Sequence, residues 1–209
     1  MSRAKPAAPP PSGATAGAAR PSARTLQKAE RTDLLLSEAA RLFAAKGFRG
    51  VSLEEIASAV GISGPALYRH FSNKQAILAA VLGDVSTRLL EGGRRRVAAH
   101  ADPREALIAL IDFHADFALG ETDRIRVHNR DLRTLEDEAS DAVRRTQRDY
   151  VELWVDQLVR LGEPDRAAAR LKAQAAIGLL NSTPHSVRHG DPARVKPVLE
   201  RMTLAALLA

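Results

Sequence analysis

Ser52-Leu53-Glu54-Glu55-Ile56-Ala57-Ser58-Ala59-Val60-Gly61-Ile62-Ser63-Gly64-Pro65-Ala66-Leu67-Tyr68-Arg69-His70-Phe71 is the stretch on which the fold turns. Ser52 with Glu55 three residues on makes a capping box, each side chain satisfying the other's free backbone N–H. Leu53, Ile56, Ala57 and Val60 then share one helical face. Gly61 stops that helix, Ile62 turns inward, and Ser63 is placed to cap a second one. Pro65 falls in the first turn of this next helix, about Gly64 to Phe71, where its missing N–H costs nothing. Two short helices joined through Gly61-Ile62-Ser63 have the size and turn chemistry of a helix-turn-helix. Leu67 and Phe71 face its core at i, i+4. Tyr68, Arg69 and His70 are left on outer faces, with Ser63 and Gly64 at the tip.

The same periodicity extends in both directions. Upstream, Leu35, Ala39, Leu42 and Phe43 mark an amphipathic helix ending at Lys46-Gly47. Downstream, Ser72-Asn73 break the short helix, and a fourth runs from near Lys74 through Leu78, Val81, Val85 and Leu89. Gly92-Gly93 either lets that helix bend or marks its end before Arg94-Arg95-Arg96. Pro103 opens another helix, with Leu107, Leu110, Ile111, His114 and Phe117 on one face. Further helices are expected over about 122–135, 138–161, 164–183 and 192–208. Neither an internal repeat nor the alternation of a strand is visible. The class is all-α.

Composition narrows the function. The chain has 209 residues, 45% hydrophobic and 27% charged, as in a globular protein, with no uninterrupted apolar run of membrane length. Without cysteine there is no disulfide, thiol catalysis or Cys-ligated zinc. Residues 1–80 hold 11 basic and 5 acidic side chains, whereas residues 81–209 hold 20 of each, so the net charge of +6 is all N-terminal. A localised basic excess is the footprint of a polyanion partner. Part of it belongs to residues 1–24, a Pro/Ala/Gly/Ser-rich basic tail read as disordered. That leader lacks the apolar segment of a secretory signal, which favours the cytoplasm.

The residues from Ser52 to Ala57, Gly61-Ile62-Ser63, Leu67-Tyr68-Arg69-His70-Phe71 and Asn73-Lys74, with the preceding Ala39, Leu42, Phe43 and Gly47-Phe48, strongly resemble the N-terminal domain of TetR-family transcriptional regulators. The match covers about residues 28–82. The resemblance implies an all-helical homodimer of about nine helices, a C-terminal body binding a small hydrophobic or amphipathic ligand, and dimerisation through the last two helices. Ligand binding in such proteins moves the fourth helix and releases a palindromic DNA operator. Carried over by position, Tyr68, His70 and Lys74 contact DNA and Ser52 contacts phosphate. The family often has Lys where this chain has Gly64 and a small residue where it has Pro65, a departure at the helix tip.

The expected organisation is therefore the tail over 1–24, a DNA-binding domain over 28–88 with its helix-turn-helix at about 52–72, and a ligand-binding and dimerisation domain over 89–209. Candidate DNA contacts are Ser52, Ser63, Gly64, Pro65, Tyr68, Arg69, His70 and Lys74; Arg69 can pair with phosphate or guanine, and His70 either contacts DNA or buttresses its helix. Candidate ligand-pocket residues, inward-facing with some polarity, are His114, Phe117, His128, Arg130, Tyr150, Trp154, Asn181 and His185. Tyr150, Trp154 and Leu158 at i, i+4, i+8 read equally as plain core. The basic run Arg124, Arg126, Arg130, Arg133 is either a solvated face or a site for an anionic ligand such as an acyl-CoA phosphate. Asp112, His114 and Asp116 do not converge as metal ligands, and His185 and His189 lie in a loop, so no metal is expected. No cofactor is expected either. The chain lacks a nucleophile elbow, a Walker motif and a dinucleotide fingerprint, so the reading is a regulator, most simply a repressor, and no enzyme. Two other classes stay open: a small-molecule-binding helical protein or enzyme with an incidental basic head, and a non-specific architectural DNA binder.

Overall fold

The computed structural model describes residues 23–183 and 191–209. The tail expected over 1–24 therefore lies outside the described residues up to position 22, as do His185 and His189. Among the described residues there are nine α-helices and no strand. They are α1 (Ala23–Lys46), α2 (Leu53–Ala59), α3 (Gly64–Tyr68), α4 (Lys74–Ala98), α5 (Pro103–Gly120), α6 (Thr122–Asp131), α7 (Asp137–Arg160), α8 (Arg166–Leu180) and α9 (Pro192–Leu208). A single tight turn, Leu132–Thr134, follows α6 and ends the helix expected to reach 135.

Caps set most helix starts. Ser52, Ser63 and Asn73 accept from the N–H of Glu55, Ala66 and Ala76, and Asp102, Asp165 and Asp191 do the same for α5, α8 and α9. Helix α1 begins at Ala23, inside the stretch assigned to the tail, because Ala23-Arg24-Thr25-Leu26-Gln27-Lys28 contains neither Pro nor Gly and is mostly good helix formers. Helix α3 ends at Tyr68, earlier than the expected Phe71, as the Leu67 carbonyl accepts from both His70 and Phe71 and closes the last turn. Gly61 takes φ +67° in the turn between α2 and α3, a conformation that a side chain would strain.

Two apolar cores are stacked along α4. Ile77, Leu78, Val81 and Leu82 join Leu35, Phe43, Ile56 and Leu67 in the head, together with Val127 and Val143 from α6 and α7. Val85, Leu89 and Leu90, further along the same helix, join Leu107, Leu110, Trp154, Leu158, Leu180 and Leu199 in the body. The boundary placed at 88/89 thus falls within one continuous helix, which mechanically joins head to body.

Gly92 and Gly93 lie inside α4, so they do not end it before Arg94. Their role is close approach: a Cβ on Gly92 would stand 2.1 Å from the Phe113 ring, and one on Gly93 2.8 Å from Tyr150 and 3.0 Å from Leu153. Bending is not needed to explain them. Gly93→Ala is expected to destabilise by about 1 kcal/mol net, overpacking outweighing the helix propensity gained. A shift in Trp154 fluorescence should accompany it as Tyr150 moves; an unchanged melting temperature and spectrum would contradict this packing role.

The basic run on α6 is not a solvated face throughout. Arg124 is 3% exposed and pairs with Asp33 of α1 at 2.7 Å, with Asp84 of α4, and with Glu121 at 3.2 Å. Arg88 joins the cluster through Glu121 at 2.8 Å. Arg130 donates to the Phe43 carbonyl, near the end of α1, at 2.6 Å and pairs with Asp131. Arg124 and Arg130 therefore tie α6 to the head, and neither is free to meet a ligand. Arg126 pairs with Asp123, while Arg133 is exposed.

Candidate nucleic-acid interface and ligand cavity

The head presents α3 on a rigid base. Leu67 is buried beneath it and Phe71 packs against the same core, which leaves Tyr68 53% exposed and Arg69 and His70 exposed beside it. Ser63 caps the helix, Gly64 is half-buried and Pro65 exposed at the tip. Residues 56–83 contain no acid, so nothing on this surface segment repels a polyanion. Ser52 is exposed at the start of α2 with its hydroxyl engaged by Glu55 N–H. The Lys46 ammonium, and more weakly the Ser52 N–H, hold the Glu55 carboxyl below its usual range. That pair fixes the end of α1 to the start of α2.

Lys74 is placed differently from the other candidates. Its ammonium donates to the carbonyls of Val51 at 2.7 Å and Arg49 at 3.4 Å and lies over the Phe48 ring. It pins the chain entering α2, with one of its three N–H groups left for a phosphate.

In the body, α4, α5, α6, α7 and α8 enclose a cavity of about 680 Å³. Of the candidates read from sequence, His114, His128, Tyr150 and Asn181 line it. Phe117, Trp154 and Arg130 do not. Trp154 stands behind the wall, edge-on to His114 and Tyr150 with ring centres 6.1 Å away. Phe117 packs on Phe113 and under the Arg88 guanidinium. Arg130 follows His128 by two residues, roughly 200° around the helix, and so points to α1 while His128 meets the cavity. His185 is outside the described residues.

The polar floor of the cavity is neutral. His114 is fully buried, and burial, opposed by Asn181, lowers its pKa to about 4. The neutral ring accepts from the Tyr150 hydroxyl at Nδ1, 2.8 Å, and donates from Nε2 to Asn181 Oδ1 at 3.0 Å. Burial likewise drives the Tyr150 phenol further toward its protonated form. Gln147 Nε2 lies 2.6 Å from His128 Nε2, and burial pushes the His128 imidazole toward neutrality too.

Sequence reasoning missed Ser86, Leu89, Arg144, Gln147, Arg148, Val151, Glu152, Arg170, Gln174 and Ile177 in the wall. A signal for some of them exists: Arg170, Gln174, Ile177 and Asn181 recur at i, i+4, i+7, i+11, a mixed polar and apolar stripe that a solvent-facing or core-facing helix would not carry.

Comparison with known proteins agrees with this geometry. Residues 35–81 match the family model described as bacterial regulatory proteins, tetR family, and residues 100–185 match the tetracyclin repressor-like C-terminal domain. Over 92 residues the chain is 35% identical to the HTH-type transcriptional activator FasR of Mycolicibacterium smegmatis, covering 44% of this chain and 42% of that protein. Over 140 residues it is 31% identical to the HTH-type transcriptional repressor KstR2 of the same organism, covering 63% of this chain and 65% of that one. The chain thus spans less than two thirds of the length of these curated relatives. Among solved structures, the TetR-family regulator PfmR from Thermus thermophilus superposes with a TM-score of 0.73 at 26% identity, covering 84% of this chain and 97% of that one.

Proposed function

Because the chain belongs to the tetR family of bacterial regulatory proteins, we propose that it is a ligand-responsive transcriptional regulator, acting as a repressor on a palindromic operator. The observation that carries this reading is α4: one helix supplies Ile77 to Leu82 to the head core and Ser86 and Leu89 to the cavity wall. A ligand that fits the cavity better in one setting of α4 than in another shifts the head with it, to the extent of its differential affinity. The DNA-binding unit is residues 28–88, with Tyr68, Arg69 and His70 as the contact face, Ser52, Ser63, Gly64 and Pro65 at its edge, and Lys74 as a buttress. Residues 89–209 bind the ligand, a small hydrophobic or amphipathic molecule of which an acyl-CoA is one example, and form the dimer. Leu171 of α8 and Val198, Met202 and Leu208 of α9 are exposed apolar side chains on packed helices, the surface a two-fold partner would cover. No described helix is long and apolar enough to cross a membrane. A regulator of this kind works in the cytoplasm and catalyses nothing.

Footprinting on DNA flanking its own gene tests the proposal, with protection of a palindrome expected. Uniform binding across sequences would instead indicate an architectural DNA binder, and no binding at low salt would end both readings. Tyr68→Ala is expected to weaken operator binding about tenfold, roughly equally across operator variants, as for a phosphate-directed contact. Unchanged affinity would remove Tyr68 from the interface.

A further inference from the structure

The cavity wall carries two features that a purely apolar ligand would leave unused. Arg144 and Arg148 line it one helical turn apart on α7, and both are exposed. Among the described residues neither makes an ion pair within 4.0 Å. The other charges in the wall are already matched: Arg170 pairs with Glu152 at 2.6 Å, and Arg166 takes the second carboxylate oxygen at 2.6 Å. Although burial raises it, the Glu152 carboxyl is brought below its usual range by those two arginines. Two like charges at i, i+4 repel each other, and an anion between them reverses the sign of the interaction.

His128 supplies the second feature. Gln147 gives an amide N–H to its Nε2, so the neutral ring carries its proton on Nδ1. That Nδ1 is out of contact with solvent and has no hydrogen-bond partner, the neighbouring Asn129 side chain approaching the ring without bonding geometry. The ring therefore stands in the wall as a neutral polar group and adds no charge of its own beside the arginines. Gln147 stands three residues from Arg144 and next to Arg148, which brings His128 to the stretch of wall that the arginines reach.

We infer that the ligand is an amphipathic anion. Its carboxylate or phosphate head lies between Arg144 and Arg148, on the stretch of wall that His128 also lines, and its apolar part runs along Leu89, Val151 and Ile177. This rests on the regulator reading only in taking the cavity as the effector site. It also moves the anion site from α6, whose Arg124 and Arg130 are held by the head, to α7.

The single tryptophan, Trp154, touches His114 and Tyr150 behind the wall and reports binding by fluorescence. The full-length protein would be titrated with decanoate, decyl phosphate, decanoyl-CoA and, as the neutral control, decanol. At least one anion is expected to bind tenfold or more tightly than decanol. Which one binds best distinguishes a carboxylate head from a phosphate head or a larger acyl thioester. In the Arg144→Gln/Arg148→Gln variant that anion should lose about tenfold in affinity, as two solvent-exposed ion pairs go, with decanol unaffected. Decanol binding as tightly as the anions, indifference of the anions to the arginine variant, or no binding by any probe overturns the inference. Operator binding measured on the same samples is independent: if it persists while every probe fails, only the ligand class is wrong.

Discussion

Replacing Arg124 by alanine is expected to lower the unfolding free energy by about 2–3 kcal/mol, just short of the roughly 3–5 kcal/mol for breaking a wholly buried ion pair. The guanidinium is 3% exposed, so its removal leaves a desolvated gap among carboxylates. Asp84 feels this most: burial already raises its pKa, and Arg124 and then Arg88 are the charges that bring it back. Asp33 is 64% exposed and can return to water, which is why the full cost of a wholly buried pair is not reached. Arg124→Met keeps most of the volume and should recover the packing share of the loss alone. Adding Asp84→Asn to Arg124→Met should then restore stability, because the orphaned carboxylate is gone; the double-mutant cycle in urea measures that coupling. Additive losses would show that the cluster is no more than adjacent surface pairs. The same variants should alter how the head responds to the body, since Arg124 connects α6 to both α1 and α4.

Acidification is the second large effect. In the unfolded chain His114 protonates near its ordinary value of 6.5, whereas in the folded protein it does so at about 4. Unfolding therefore takes up a proton anywhere between those values. Stability is complete above about pH 6.5, falls as the pH drops, and stops falling below about 4. The whole window is worth about 3 kcal/mol, and roughly 2 kcal/mol of it is lost by pH 5. His128 is shifted in the same direction and steepens the profile. Urea unfolding at pH 7.5 and 5 measures the slope. His114→Gln should be less stable than the parent at pH 7.5 yet clearly flatter with pH; parallel profiles would mean that His114 is not the neutral buried group described here. Protonating His114 also reverses its bond with Tyr150, since Nδ1 can then only donate and the hydroxyl must accept, so the polar floor of the cavity changes over the same range.

Both effects come from groups that the linear pattern treated as minor or ambiguous. The helix-turn-helix was legible because its signals are local: Ser52 caps Glu55, Ser63 caps Ala66, and Gly61 turns the chain, all within a few residues. The stripe of Leu35, Ala39, Leu42 and Phe43 likewise requires only the period of one helix. Helix ends were less certain, as at α3, where the Leu67 carbonyl closes the turn early. The glycine pair in α4 was open between bend and end because its partners, Phe113 and Tyr150, are distant in the chain. Four of the seven cavity candidates among the described residues reached the cavity wall, and Arg130 shows one reason why a candidate does not. An inward residue can face either of two cores, and its neighbours two positions away face the opposite one.

The sequence by itself determined the all-helical class, the basic head and the identity of the outward face on α3, since helix period and capping act over one turn. Tertiary structure alone decided that His114 meets Tyr150 and Asn181, 36 and 67 residues away, and that Arg124 meets Asp33 across 91. Such meetings depend on how helices cross, and the crossing is set by packing over whole faces. The helix-turn-helix could therefore be read from its own residues, whereas the cavity and the ionic tie that joins it to the head exist only once both cores have packed along α4.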